Sequence, residues 1–234
     1  MSEPLPRIEC FLIGAPGAKK TETALAFEEA TRDWFEERGV APLSVIDANR
    51  DLATKQGRVS GRDGDHYSTL ANFFNRAAIE DRIRLRGDSF VSVGCIIDSI
   101  AHLNVRLKTL SKMIQTTDTE GMAQREILVG NLLQTYLMDG RWNFNFVWYV
   151  PLPEQILIPG GSDNTYAYDA EVDAVLRDLN IKMQLGVPVL AGTIDERVEK
   201  MIADLNKYYV GTKVEFEEER RIISAGDGGS GLEG

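Results

Sequence analysis

Short apolar runs alternate with longer stripes of helical period along this chain. Arg7–Ile13 (RIECFLI) is β-rich, and a glycine-containing loop follows it. Over Thr21–Arg38 the residues Ala24, Leu25, Phe27, Ala30, Trp34 and Phe35 recur at helical spacing, and Gly39 stands where a C-capping glycine would. Leu43–Ile46 is a second apolar run, ending at Asp47, and Asn49–Asp65 is polar and glycine-rich. Thr69–Leu85 reads as a helix, Ser89–Val93 as a strand, and Ile96–Leu110 and Gly121–Met138 as helices. Phe144–Val150 (FNFVWYV) is an aromatic strand closed by Pro151 and Pro153, and residues 154–168 read as a loop. A helix over Ala170–Leu185, a short strand Val187–Leu190 and a helix over Ile194–Tyr209 complete the pattern. Thr193 and Glu196 have the spacing of an N-capping box for that last helix.

The strands are continuous apolar runs rather than alternating ones, as expected when both faces of a sheet are covered. Strand and helix alternate throughout. Together these predict an α/β fold with a mainly parallel central sheet. In such sheets ligands bind beyond the carboxyl ends of the strands, so the polar residues following each strand are the ones to inspect.

Composition narrows the picture a little. The 234 residues fit one domain, and 43% hydrophobic with 26% charged residues is ordinary for a globular chain. The expected layout is one domain over 1–210, with 47–85 as an acceptor-binding region and 154–177 as a lid. An acidic and then Gly/Ser-rich tail over 211–234 would follow, and its end, AGDGGSGLEG, is excluded from the fold. No apolar run approaches the ~20 residues of a membrane span, and the N-terminus lacks a signal-peptide pattern. Two cysteines, Cys10 and Cys95, sit in apolar runs and read as buried free thiols. These features give a cytoplasmic expectation. A net charge of −10 weighs against non-specific nucleic-acid binding.

Chemistry concentrates in FLIGAPGAKKTET (Phe11–Thr23). The phosphate-loop pattern is G-x-x-x-x-G-K-[ST]. Gly14 opens it here, Ala15, Pro16, Gly17 and Ala18 fill it, and Lys20 and Thr21 close it, but Lys19 replaces the second glycine. Such a loop cradles phosphates on backbone N–H groups, with the lysine on the β/γ-phosphates and the hydroxyl on Mg²⁺. Gly14 to Thr21, with Glu22 in the first helical turn, are therefore the candidate nucleotide contacts. Lys19 either crowds the phosphates with its Cβ or adds a second cation to them. A plain strand-to-helix turn is the bland alternative.

The loop resembles that of nucleoside and nucleotide kinases, in which G-A-P-G-A-G-K is a familiar form, and the order of elements from Arg7 to about Tyr209 is similar to that of small phage-type P-loop kinases. The resemblance implies a three-layer P-loop NTPase fold, ATP and Mg²⁺ as cofactors, and a nucleoside, nucleotide or DNA acceptor such as a 5-hydroxymethyl pyrimidine. In polynucleotide-kinase-like enzymes an Asp after the second strand activates the acceptor hydroxyl, and an Arg three residues on binds its phosphate; Asp47 and Arg50 match those places. A hydroxyl acceptor gains from a carboxylate within reach, although Asp47 could instead cap its turn.

Asp98 is either a Mg²⁺-associated acid or the first-turn acid of the next helix. Arg177 is the lid candidate for the transferring phosphoryl, with Arg125 and Arg141 as rivals. Arg197 contacts the adenine or pairs with Glu196 or Asp195. Tyr166 and Tyr168 are candidates to stack a base, whereas Trp148 reads as core, and His102 as a helix-face residue packing locally. A water-accepting ATPase or GTPase and a non-catalytic nucleotide-binding protein are the competing functions.

Overall fold

The computed structural model describes residues 7–39, 43–47, 66–112, positions 121, 123–124, 127–128 and 130–131, then 145–153, 164–182 and 186–226, with side chains at fewer helical positions. Four strands, β1 (Glu9–Ile13), β2 (Ser44–Ile46), β3 (Phe90–Val93) and β4 (Phe146–Tyr149), form one sheet in the order β2-β3-β1-β4. Every pairing is parallel; Cys10 sits opposite Val91 on one side and Phe146 on the other. The helices are α1 (Lys20–Glu36), α2 (His66–Arg86), α3 (Ile96–Lys112), α4 (Asn164–Lys182) and α5 (Ile194–Gly226).

Both faces of the sheet are covered, which is why β1 and β3 are buried at every position. Successive residues of β4 show the two sides. The Trp148 ring packs edge-on against Phe27 of α1 and its indole N–H donates to Asp204 of α5 at 2.8 Å. Tyr149, the next residue, turns to Asp173 and Arg177 of α4. Helix α1 packs with α5, and α3 packs with both α2 and α4. The core runs through Phe11, Phe27, Phe35, Phe90 and Trp148 between these layers.

Three expected boundaries move. Residues 164–168 were expected in a loop but begin α4, so Tyr168 lies on a helix. The Asp-rich register of α4 explains this: Asp169 and Asp173 are both buried on its inner face, an unusual place for acids that obscures the helical stripe. The strand expected over Val187–Leu190 is a single parallel bridge, Tyr149 to Val189. Helix α5 runs past Tyr209 to Gly226, through the EFEEERR segment. Of the helix expected over 121–138, the described residues between 121 and 131 are helical.

Candidate phosphate-binding site

The loop sits at the carboxyl end of β1, between β3 and β4. Gly14 is fixed there by crowding: a Cβ would run into the Val150 carbonyl oxygen. Its own N–H donates to Asp98 Oδ1 at 3.0 Å. Gly17 has φ +79 and Lys19 has φ +60, both in the left-handed region. Lys19 is the one non-glycine with positive φ among the described residues. A conformation that glycine adopts freely is thus held here by a lysine, at a strain of roughly 1–2 kcal/mol for an L-residue. Helix α1 starts directly after Lys19 with no side-chain cap, so its first N–H groups remain directed at the loop.

Lys20 folds over the loop. Its ammonium donates to the carbonyls of Gly14 and, at 2.9 Å, Ala15. Burial pulls it below the usual lysine range; Asp98, Asp47 and Asp169 oppose that shift and Arg76 reinforces it. Thr21, the next residue, donates its hydroxyl to Asp47 Oδ2 at 2.8 Å. The carboxylate after β2 and the hydroxyl of the loop are therefore in direct contact, although 26 residues separate them in the chain. Glu22 points to solvent from the first turn of α1.

Asp98 behaves as a structural acid. It is 6% exposed, and its second oxygen accepts from the Cys95 N–H at 2.8 Å. Cys95 immediately precedes α3, so Asp98 closes the start of that helix and ties it to Gly14. Of the two readings of this residue, the first-turn acid is the one its hydrogen bonds express.

Two regions flank the loop. On one side lies a cavity of about 1010 Å³ lined by Lys19, Tyr149, Leu152, Arg177, Thr193 and Arg197, among others. Arg177 is held at its edge by Asp173 at 2.7 Å and by the Tyr149 hydroxyl at 3.1 Å. Burial and then the Asp173 carboxylate keep the Tyr149 hydroxyl protonated well above the ordinary tyrosine range. Arg197 is buried and donates to the Ala18 carbonyl at 2.9 Å, so it braces the loop from behind. Glu196 is engaged with Thr193 in the expected capping box.

On the other side, α2 and α3 bring polar residues to the end of β3. Arg76 is 3% exposed, and its Nε and Nη1 have no hydrogen-bond partner among the described residues. Its Nη2 lies 3.2 Å from where a Cβ of Gly94 would be. Arg106 donates to Thr69. His102 accepts from or donates to the Tyr168 hydroxyl at 2.8 Å and stacks on its ring, 5.8 Å between centroids. Tyr168 therefore packs against α3, and His102 joins α3 to α4 rather than packing within its own helix. Burial, followed by the positive charges of Lys20, Arg106 and Arg76, pushes the His102 imidazole down to about 3.

Arg76 belongs to no motif and stands in the sequence only as one of several arginines around the polar segment that follows β2. Its signal was present: Asn72, Phe73, Arg76, Glu80 and Ile83 share one buried face of α2, and two charges on such a stripe demand a reason. Arg50, Arg125 and Arg141 lie outside the described residues, as does the Tyr166 side chain.

No protein-family model matches the sequence, and no curated protein matches it. Solved structures do resemble the fold. The NadR protein in complex with NR superposes with a TM-score of 0.56 at 10% identity, over 87% of this chain and 50% of its own, so the chain spans half of that protein's length. Deoxyadenosine kinase from M. mycoides, solved with dCMP and dCDP, gives 0.52 at 10% identity over 86% of this chain and 100% of its own. Thymidylate kinase from Candida albicans gives 0.52 at 14% identity over 87% and 93%. The chain thus has the α/β fold of nucleoside and nucleotide kinases: a parallel sheet flanked by helices, with the glycine loop after its first strand. At these identities the likeness is one of fold.

Proposed function

We propose that this chain is an ATP-dependent phosphotransferase that moves the γ-phosphoryl group to a hydroxyl of a nucleoside or nucleotide. One observation carries the reading: the Thr21 hydroxyl and the Asp47 carboxylate meet at 2.8 Å beside Lys20. A phosphate-loop threonine and a carboxylate at the end of the next strand are the groups such a transfer needs in one place.

The residues divide the work. Loop N–H groups and the start of α1 hold phosphate oxygens, and Lys20 leaves the Gly14 and Ala15 carbonyls to reach the β/γ-phosphates. Lys19 and Arg177 add positive charge from the cavity side, where the nucleotide base would lie near Arg197. The Thr21 hydroxyl is a hard oxygen donor that would suit Mg²⁺, an ion that keeps several waters and takes phosphate oxygens as its other ligands. Bound beside Thr21, Mg²⁺ would supply charge neutralisation to the phosphate oxygens.

Asp47 takes the proton of the acceptor hydroxyl as its oxygen bonds to the γ-phosphorus and the bond to the β-phosphate oxygen breaks, leaving ADP. A carboxylate has about four acceptor sites, so Asp47 can keep the Thr21 bond while it receives that proton. Arg50 would orient an acceptor phosphate. Hydroxymethylated bases in DNA fit the same chemistry, but the net charge of −10 favours a small acceptor over a polyanion.

The test is transfer of labelled phosphate from γ-labelled ATP to a panel of nucleosides, nucleotides and hydroxymethylated DNA. A labelled acceptor supports the proposal. Labelled phosphate alone would make the protein an ATPase, and no product from folded protein would refute turnover altogether.

A further inference from the structure

Helix α2 carries two charged groups on its buried face one turn apart, Arg76 at 3% and Glu80 at 0% exposure. They do not pair with one another among the contacts of the described residues. Glu80 Oε1 accepts from Ser92 of β3 at 3.1 Å, whereas Oε2 has no hydrogen bond and lies 3.6 Å from Arg84 Nη2. Arg84 is itself committed to Glu9 at 2.7 Å and to Asp81 at 2.9 Å. Arg76 leans the other way, towards Gly94 and the phosphate loop, with Nε and Nη1 unsatisfied. Asp98, the other acid near Gly94, has already placed each oxygen on a backbone N–H. A buried carboxylate oxygen and a buried guanidinium edge thus lie at i and i+4, each lacking the hydrogen bonds that the other could supply.

Resting on the phosphotransferase reading, we propose that Glu80 and the acceptor compete for Arg76. With Glu80 ionised, the guanidinium is drawn back along α2 towards Oε2. With Glu80 protonated, Arg76 stays at the end of β3 and offers Nε–H and Nη1–H to an oxygen of the acceptor. Arg76 is then an acceptor-binding residue and Glu80 a positioning residue acting through it.

The charges around Glu80 allow both states. Arg76 and Arg84 face it from its own helix, Ser92 and Cys95 from the β3 side, and Glu9 from β1. Burial raises its carboxyl to about 7, against the pull of Arg76 and then Arg84 and the Ser92 hydrogen bond, so both forms are populated near neutrality.

The experiment measures acceptor KM, donor KM and kcat from pH 6 to 8, using the acceptor identified by the transfer panel. In the wild type, acceptor KM should rise about three- to tenfold with pH, the scale of a half to one pK unit of coupling. E80Q, fixed in the neutral state, should hold the low KM throughout; E80D should restore the pH dependence. Donor KM should not follow the change. An E80Q profile that parallels the wild type overturns the proposal. Infrared spectroscopy follows the same competition without turnover. The protonated-carboxyl band that E80Q removes should titrate near pH 7 and move to higher pH in R76M; a midpoint unmoved by R76M overturns the proposal even if no acceptor is found. Absence of transfer with a shifted midpoint would instead count against the phosphotransferase reading alone.

Discussion

The Thr21 hydroxyl donates to the Asp47 carboxylate at 2.8 Å, joining the glycine loop and the start of α1 to the end of β2. If Asp47 is the base, D47N should lower transfer by about 10²–10⁴-fold, the usual worth of general-base help. Nucleotide binding should change little. Calorimetric titration with ATP and Mg²⁺ beside the transfer assay separates the two effects. T21A should show the opposite split, with the loss concentrated in Mg²⁺-dependent binding.

Lys19 holds a left-handed conformation and lines the cavity with Arg177 and Arg197. K19G removes strain of about 1–2 kcal/mol, of which glycine's extra unfolded-state freedom takes back roughly 0.5–1 kcal/mol. The variant should therefore unfold at slightly higher denaturant concentration. Its ATP affinity should fall by about two- to fivefold, the scale of one partly screened charge. Greater stability with weaker binding is the signature of a lysine retained for its ammonium group. Tighter binding would mean that its side chain obstructs the phosphates.

Gly14 faces the Val150 carbonyl with no room for a methyl group. G14A should destabilise the protein by about 1–3 kcal/mol, the usual range for overpacking, because β1 and β4 are hydrogen-bonded at this point and neither can withdraw freely. Denaturant unfolding reads this directly. The expected loss does not depend on nucleotide.

The His102 imidazole is pushed down to about 3 in the folded chain, against about 6.5 when unfolded. The unfolded state therefore binds more protons between these values, and the stability contribution of this residue is present above pH 6.5 and lost as pH falls towards 3. Glu80, raised to about 7, has the opposite sign, favouring the folded state increasingly as pH falls from 7 towards its unfolded value. Comparing H102Q with the wild type isolates the histidine. The stability gap between them should shift in favour of H102Q on going from pH 7 to pH 5. A pH-independent gap would place a normally titrating imidazole at this position.

Much of the fold could be read from apolar runs, because β1 and β3 are buried at every position and, apart from Glu9 and Ser92, are apolar throughout. The start of α4 could not, since Asp169 and Asp173 occupy its inner face and break the apolar stripe. The glycine loop between β1 and α1 could be read because its pattern is local in sequence. The meeting of Thr21 with Asp47 required knowing that β3 lies between β2 and β1. Arg76 was hidden for a related reason: a lone arginine acquires meaning only when its burial and its unsatisfied N–H groups are known. The left-handed backbone at Lys19 was equally out of reach, because nothing in the residue itself announces it.

The central claim is that phosphate leaves ATP for an organic hydroxyl at Asp47. Incubating the protein with γ-labelled ATP, Mg²⁺ and the nucleoside and nucleotide panel, alongside D47N, tests it most directly. Label should appear on an acceptor with the wild-type chain and be almost completely lost with D47N. Label appearing only as inorganic phosphate, or an acceptor labelled equally well by D47N, would contradict it.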